Sequence, residues 1–88
     1  MSPLRFIGID PETNTGESPT VWVDEDKREL VFQGWKPDPR LEAECAAFEL
    51  PGHAVGIPDT EAVIRIPARM IPDIRKACDA AEACTDVR

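Results

Sequence analysis

The segment Thr20–Trp35, TVWVDEDKRELVFQGW, constrains the fold most, because it has the composition and alternation of a β-hairpin. β-Branched and aromatic residues flank a charged centre, and this favours strands over helix. A turn at Asp26-Lys27 would bring the alternate residues of the two strands opposite each other. This register gives one apolar face made of Val21, Val23, Leu30 and Phe32.

The other face of the same hairpin would carry Trp22, Val31 and Trp35, which include both tryptophans of the chain. Helices packed on one face of a small sheet leave such a second face open. Aromatic residues are enriched in the centres of protein interfaces, so we expect a partner there. The alternative is that the N-terminal loop, the first helix or the chain termini cover this face as core. Both alternatives stand at the level of sequence.

Two more segments have the composition of strands. Arg5–Asp10 (RFIGID) ends at Pro11, which cannot donate a ladder hydrogen bond, and the loop Glu12–Pro19 follows. Glu61–Ile66 (EAVIRI) alternates in the same way and is closed by Pro67.

Two helices are predicted. Asp38 can cap the first, with Pro39 at the first helical position and Pro51-Gly52 at the end. The second covers Ala68–Ala83, and Pro72 implies either a start near Ile71 or an irregular first turn. The predicted apolar stripes are Leu41, Cys45 and Phe48 in the first helix and Ile71, Ile74, Cys78 and Ala81 in the second.

The element order is therefore βββαβα, which is typical of an α+β fold. We expect a small antiparallel sheet of three or four strands with both helices packed on one face. At 88 residues the chain is long enough for one domain, 1–88, and its last residues, 84–88, are expected to fray.

Charge and composition exclude several classes of function. With 17 acidic and 10 basic residues the net charge is −7, which disfavours direct binding to nucleic acid. No apolar run is long enough to cross a membrane, and no secretory leader is evident. Three cysteines cannot all pair within the chain, which favours a reducing compartment. We therefore expect a cytoplasmic protein.

No constellation of residues points to catalysis, a metal or a cofactor. Cys78 and Cys84 are six residues apart, which is not a zinc-binding spacing, and Cys45 falls in the other helix. His53 lies in a loop with no nucleophile assigned to it. We expect no enzyme activity, no metal and no cofactor.

The favoured function is a non-enzymatic interaction domain that uses the tryptophan face and the nearby acids Asp24, Glu25 and Asp26. The partner would be a second protein or a second copy of the chain, with aromatic burial supplying affinity and negative charge speeding encounter. The alternative is a domain that binds a small anionic ligand or a metal through Arg65, Arg69 and the Gly/Pro loops.

The segments VWVDEDKRELVFQGW and EAVIRIPARMIPDIRKACD resemble small, uncharacterised acidic proteins of actinomycetes of the Streptomyces type. The resemblance covers most of residues 4–80 and brings no catalytic residues with it. Proteins of the group that this chain resembles are encoded near helix-turn-helix regulators. The resemblance therefore implies an accessory role beside a transcriptional regulator. The shared residues are Val21, Trp22, Val23, Asp24, Gln33, Gly34, Trp35, Arg65, Pro67, Ala68, Arg69, Met70 and Pro72.

Overall fold

A computed structural model describes residues 3–12 and 18–85, with side chains described as far as residue 83. The predicted loop at 13–17, the side chain of Cys84 and the tail at 86–88 lie outside the described residues. The α+β class is confirmed by a three-stranded antiparallel sheet and two helices. Its elements are β1 (Leu4–Ile9), β2 (Thr20–Asp24), β3 (Glu29–Gln33), α1 (Pro39–Ala47), a 3₁₀ turn (Ala68–Met70) and α2 (Ile71–Thr85).

The chain groups into two compact units. The first, Met1–Gly34 with Ile66–Arg88, contains the sheet and α2, and the second, Trp35–Arg65, contains α1. The expectation of one domain over 1–88 stays a prediction.

The hairpin has the register that the sequence predicts. Val21 is opposite Phe32, Trp22 opposite Val31 and Val23 opposite Leu30. The four residues 25–28 form the connection, and Asp24 shapes it by accepting hydrogen bonds from the backbone N–H groups of residues 26 and 27, both at 3.0 Å.

Strand β1 pairs with β2 and contains a bulge that the sequence analysis did not predict. Phe6 lies opposite Trp22 and Gly8 opposite Val21, so Ile7 is the extra residue. A bulge of this kind puts both bulged residues on the side of the single residue they oppose. Ile7 accordingly packs against the core beside Val21.

The core of the first unit lies between the sheet and α2. Val21, Val23, Met70 and Ala77 are fully buried. The partly buried residues around them are Ile7, Leu30, Phe32, Ile66, Ile74, Ala80 and Ala81. The hairpin face predicted to be apolar is therefore the face that α2 covers.

The predicted buried stripe of α2 is wrong in two of its four members. Ile71 is 42% exposed and Cys78 is exposed, whereas Met70 and Ala77 are buried. Met70, Ile74, Ala77 and Ala81 recur at i, i+4, i+7 and i+11, so the buried face includes the last residue of the 3₁₀ turn and is rotated from the predicted stripe. The two alternatives for the start of α2, a helix beginning near Ile71 and an irregular first turn, both occur. A 3₁₀ turn comes first, and the α-helix begins at Ile71.

In the second unit, the predicted start of α1 is confirmed. Asp38 accepts a hydrogen bond from the backbone N–H of Leu41 at 2.8 Å, and Pro39 is the first helical residue. The helix ends at Ala47, earlier than predicted, because Phe48 is already extended. The predicted stripe is not a buried one: Leu41 is half-buried, and Cys45 and Phe48 are exposed. One apolar residue per turn offers too little area to bury.

The predicted fourth strand, Glu61–Ile66, is reduced to a single bridge. Trp35 and Arg65 exchange two backbone hydrogen bonds of 2.8 Å, and no described neighbour continues the ladder. In an antiparallel pair the next hydrogen-bonding residues lie two positions away. Pro37 and Pro67 occupy those positions after Trp35 and Arg65, and neither has an N–H to donate.

Candidate interaction surface

The face of the sheet opposite α2 carries a row of apolar side chains across all three strands. Phe6 on β1, Trp22 on β2 and Val31 on β3 are directly opposite one another. Phe6 is 57% exposed, while Trp22 and Val31 are half-buried. Cross-strand apolar neighbours of this kind support one another and present one continuous contact area.

The bulge extends this row along the edge strand. Because Ile7 and Gly8 together oppose Val21, the alternation shifts by one residue and Ile9 returns to the side of Phe6. Leu4 and Ile9 are 42% and 49% exposed. We call the five residues Leu4, Phe6, Ile9, Trp22 and Val31 the open sheet face.

Sequence reasoning found Trp22 and Val31 but missed the three residues from β1. Simple alternation in RFIGID puts Ile7 and Ile9 on the same side, which is the opposite of what the bulge produces. The available signal was Gly8, since a glycine inside a strand often marks a bulge or a close backbone approach.

Gly8 does permit a close approach, which fixes β1 against α2. A Cβ atom built on Gly8 would overlap the carboxylate of Asp73, with each of its three terminal atoms within 2.8 Å. Any side chain at position 8 would therefore have to displace the carboxylate of Asp73. The absence of a side chain on Gly8 therefore permits the close contact between β1 and the first turn of α2.

The acidic residues beside the open sheet face differ in what they offer a partner. Asp24 is half-buried and holds the turn through the hydrogen bonds described above. Glu25 and Asp26 are exposed, and Glu25 lies 3.8 Å from Arg5 in a solvent-exposed ion pair. Lys27 and Arg28 are exposed in the same turn, so the negative charge available for encounter is that of the whole chain rather than of the hairpin tip.

Trp35 does not extend strand β3. It belongs to the second unit, is 39% exposed and is tied to Arg65 through the backbone bridge. The predicted set of Trp22, Val31 and Trp35 is therefore divided between two units, and a role for Trp35 in partner binding stays a prediction.

Arg69, one of the two arginines assigned to the alternative ligand site, is engaged by Asp10. Its Nε donates to Asp10 Oδ1 and its Nη2 to Asp10 Oδ2, both at 2.7 Å. Hydrogen bonding to Asp10 raises the pKa of Arg69; the charges of Asp10 and Glu12 act in the same direction, while desolvation opposes them. Arg65 lies in the other unit. Anion binding by this pair stays a prediction.

Open grooves occur in each of the two units, among the described residues. One, of about 460 Å³, runs between β1 and α2 and is lined by Arg5, Phe6, Ile7, Lys76, Asp79, Ala80 and Ala83. Another lies within the second unit and is lined by Glu42, Ala46, Ile57, Pro58, Asp59 and Glu61.

Across the described residues, no group of three or more His, Cys, Asp or Glu side chains is placed to hold a metal ion. Cys45 and Cys78 are free thiols at exposed positions. None of the helices in the described part of the chain is both long and apolar enough to cross a membrane.

The chain matches no family model, and comparison with curated proteins and with solved structures likewise finds no match.

Proposed function

We propose that the protein is a non-enzymatic interaction domain that binds a basic protein partner through its open sheet face. The observation that carries the proposal is the exposure of Leu4, Phe6 and Ile9, three large apolar side chains on one edge strand, beside a half-buried tryptophan. Exposed apolar side chains grouped in this way are typical of protein-binding surfaces.

Charge complementarity supports the basic character of the partner. The chain has a net charge of −7, and exposed Glu25 and Asp26 stand at the hairpin tip beside the open sheet face. Burial of Phe6 and Trp22 would supply affinity, while the net negative charge of the chain would speed encounter with a positively charged surface. A transcriptional regulator, the partner that the actinomycete resemblance implies, has this chemistry, and the proposed setting is the cytoplasm.

The alternative function, binding of a small anion or a metal, has less support. The guanidinium of Arg69 is already held by both oxygens of Asp10. An anion would have to compete with a carboxylate whose side chain is fully buried. The interaction domain needs no such rearrangement.

The experiment is quantitative co-purification from the native host with wild type and a Phe6→Ser variant. Phe6 is more than half exposed and lies on an edge strand, so the variant should keep the fold, which circular dichroism can verify. We expect Phe6→Ser to lose the recovered partner, and the partner to have a basic surface.

A Phe48→Ser variant is the matched control, since Phe48 is 68% exposed but belongs to the second unit. It should retain the partner. Acrylamide quenching in a Trp35→Phe background then reports on Trp22 alone, and a bound partner should reduce its quenching. Equal recovery with Phe6→Ser and Phe48→Ser, or unchanged quenching of Trp22, would contradict the proposal.

A further inference from the structure

The outer edge of β1 has backbone groups available for another strand. The sheet order is β1-β2-β3, so β1 has a strand neighbour on one side only among the described residues. The N–H of Glu25 donates to the carbonyl of Pro3 at 3.1 Å, which marks that pair as hydrogen-bonded. Alternation along an antiparallel ladder then turns the N–H and C=O of Phe6 away from β2, towards the free edge.

The same edge is bordered by α2, which runs antiparallel to β1. Asp10 contacts Arg69 and Gly8 contacts Asp73, so moving back along the strand means moving forward along the helix. Two strand residues cover about 6.6 Å, which is close to the length of four helical residues. Phe6 is therefore level with Ala77, where the groove between strand and helix is open.

The charged side chains along the groove are placed so that two copies of the chain, related by a two-fold axis, would bring opposite charges together. Lys76 and Asp79 both line it, and they lie on either side of the level of Phe6. Neither forms an ion pair within the described part of the chain. A two-fold axis at Phe6 would place Lys76 of one copy beside Asp79 of the other, twice over.

From these observations we propose that the protein forms a homodimer through β1, with the strands antiparallel about Phe6. The two Phe6 residues exchange a pair of backbone hydrogen bonds, and their rings lie side by side as a cross-strand aromatic pair. Ala80 and Ala83 line the groove with small side chains, which leave room for the two copies of α2 to approach. The product is a continuous six-stranded sheet, three strands from each copy.

This interface needs no other molecule and shares Phe6 with the open sheet face. Lys76 and Asp79 lie outside that face, so their variants test the dimer without changing the proposed partner-binding residues. The dimer places the two open sheet faces side by side on one surface. If the proposed partner were absent or different, the dimer would still form, so the two proposals fail independently.

Charge exchange tests the dimer most sharply. Sedimentation equilibrium of the purified full chain, from low to high micromolar concentration, should show a monomer–dimer equilibrium for wild type. Lys76→Glu alone and Asp79→Lys alone should each weaken dimerisation by about tenfold, because two attractive contacts become repulsive. Mixing the two variants should restore a heterodimer, since each then faces the opposite charge. Lys27→Glu, an identical charge change in the exposed turn, should leave the equilibrium unchanged.

Hydrogen exchange provides a second, backbone readout. The Phe6 amide should exchange more slowly as the concentration of wild type increases, and Phe6→Lys should abolish the dimer by opposing two cations. Phe48→Lys should not. A monomer at every concentration would overturn the proposal, as would equal weakening by Lys27→Glu or failure of the mixed variants to associate.

Discussion

Asp10 and Arg69 form a bidentate ion pair that joins the end of β1 to the 3₁₀ turn before α2. Both hydrogen bonds are 2.7 Å long, and the side chain of Asp10 is fully buried while that of Arg69 is 38% exposed. The Asp10 carboxylate also accepts from the backbone N–H of Glu12 at 3.1 Å. The contact spans 59 residues of sequence and closes the first unit.

Removing the carboxylate should destabilise the protein. We expect Asp10→Ala to reduce the free energy of unfolding by about 2 kcal/mol, because its hydrogen-bonded partners lose their acceptor. Urea denaturation monitored by circular dichroism measures the loss. Arg40→Ala, which removes an exposed pair with Glu44, should have almost no effect. Comparable losses in the two variants would contradict this account.

The contribution of Arg69 should not depend on pH in the neutral range. Its folded-state pKa is raised, so its stabilisation is complete below the unfolded pKa and is lost only as pH rises through the folded one. Both values lie in strongly alkaline solution. The difference in urea midpoint between wild type and Arg69→Leu should stay constant from neutral to mildly alkaline pH. A difference that shrinks across that range would be inconsistent with a guanidinium held by a carboxylate.

Gly8→Ala should destabilise the protein by about 1–3 kcal/mol, since a methyl group at this position overlaps the carboxylate of Asp73. The matched test is the same substitution in an Asp73→Gly background, where the space is free. A double-mutant cycle from urea denaturation should then show strong coupling between the two positions. Additive effects would mean that the glycine is required for another reason.

Met70→Ala should cost about 2–4 kcal/mol, because the side chain is fully buried between the sheet and α2. Its neighbour Ile71 is 42% exposed, and Ile71→Ala should cost less than about 1 kcal/mol. Thermal unfolding of the two variants ranks them directly. A larger loss of stability for Ile71→Ala than for Met70→Ala would instead support the buried stripe predicted from sequence, which includes Ile71.

Arg28→Gly should stabilise the protein by about 0.5 kcal/mol. Arg28 has φ of 58°, a left-handed conformation that an L-residue adopts at a cost and glycine adopts freely. Lys27→Gly, in the same turn but without a positive φ, should destabilise instead. Chemical denaturation of both variants distinguishes relief of backbone strain from a general effect of added glycine.

The parts of the fold that sequence predicted are those with local physical causes. The register of Val21, Val23, Leu30 and Phe32 followed from alternation, and the start of α1 followed from the capping ability of Asp38. Neither depends on distant residues. The hairpin was therefore the most predictable element of the chain.

The remaining features depend on contacts between distant segments. Gly8, in the bulge of β1, lies against Asp73 of α2, and the Asp10–Arg69 pair joins the end of β1 to the 3₁₀ turn before α2. No local pattern encodes these relationships. The open sheet face could be predicted only in part for the same reason, since Phe6 and Ile9 share a side only after the bulge is known.

The bulge in β1 also changes how the edge strand would appear in related sequences. Its outward-facing apolar positions follow the spacing i, i+2, i+5, as in Leu4, Phe6 and Ile9. A search profile based on strict alternation would penalise this spacing. A profile that requires a glycine between two aliphatic residues, and an acidic residue ten positions before the hairpin, would recover such strands. Divergent relatives should accordingly be recognised by the interruption in their first strand and by an arginine that matches its terminal acid.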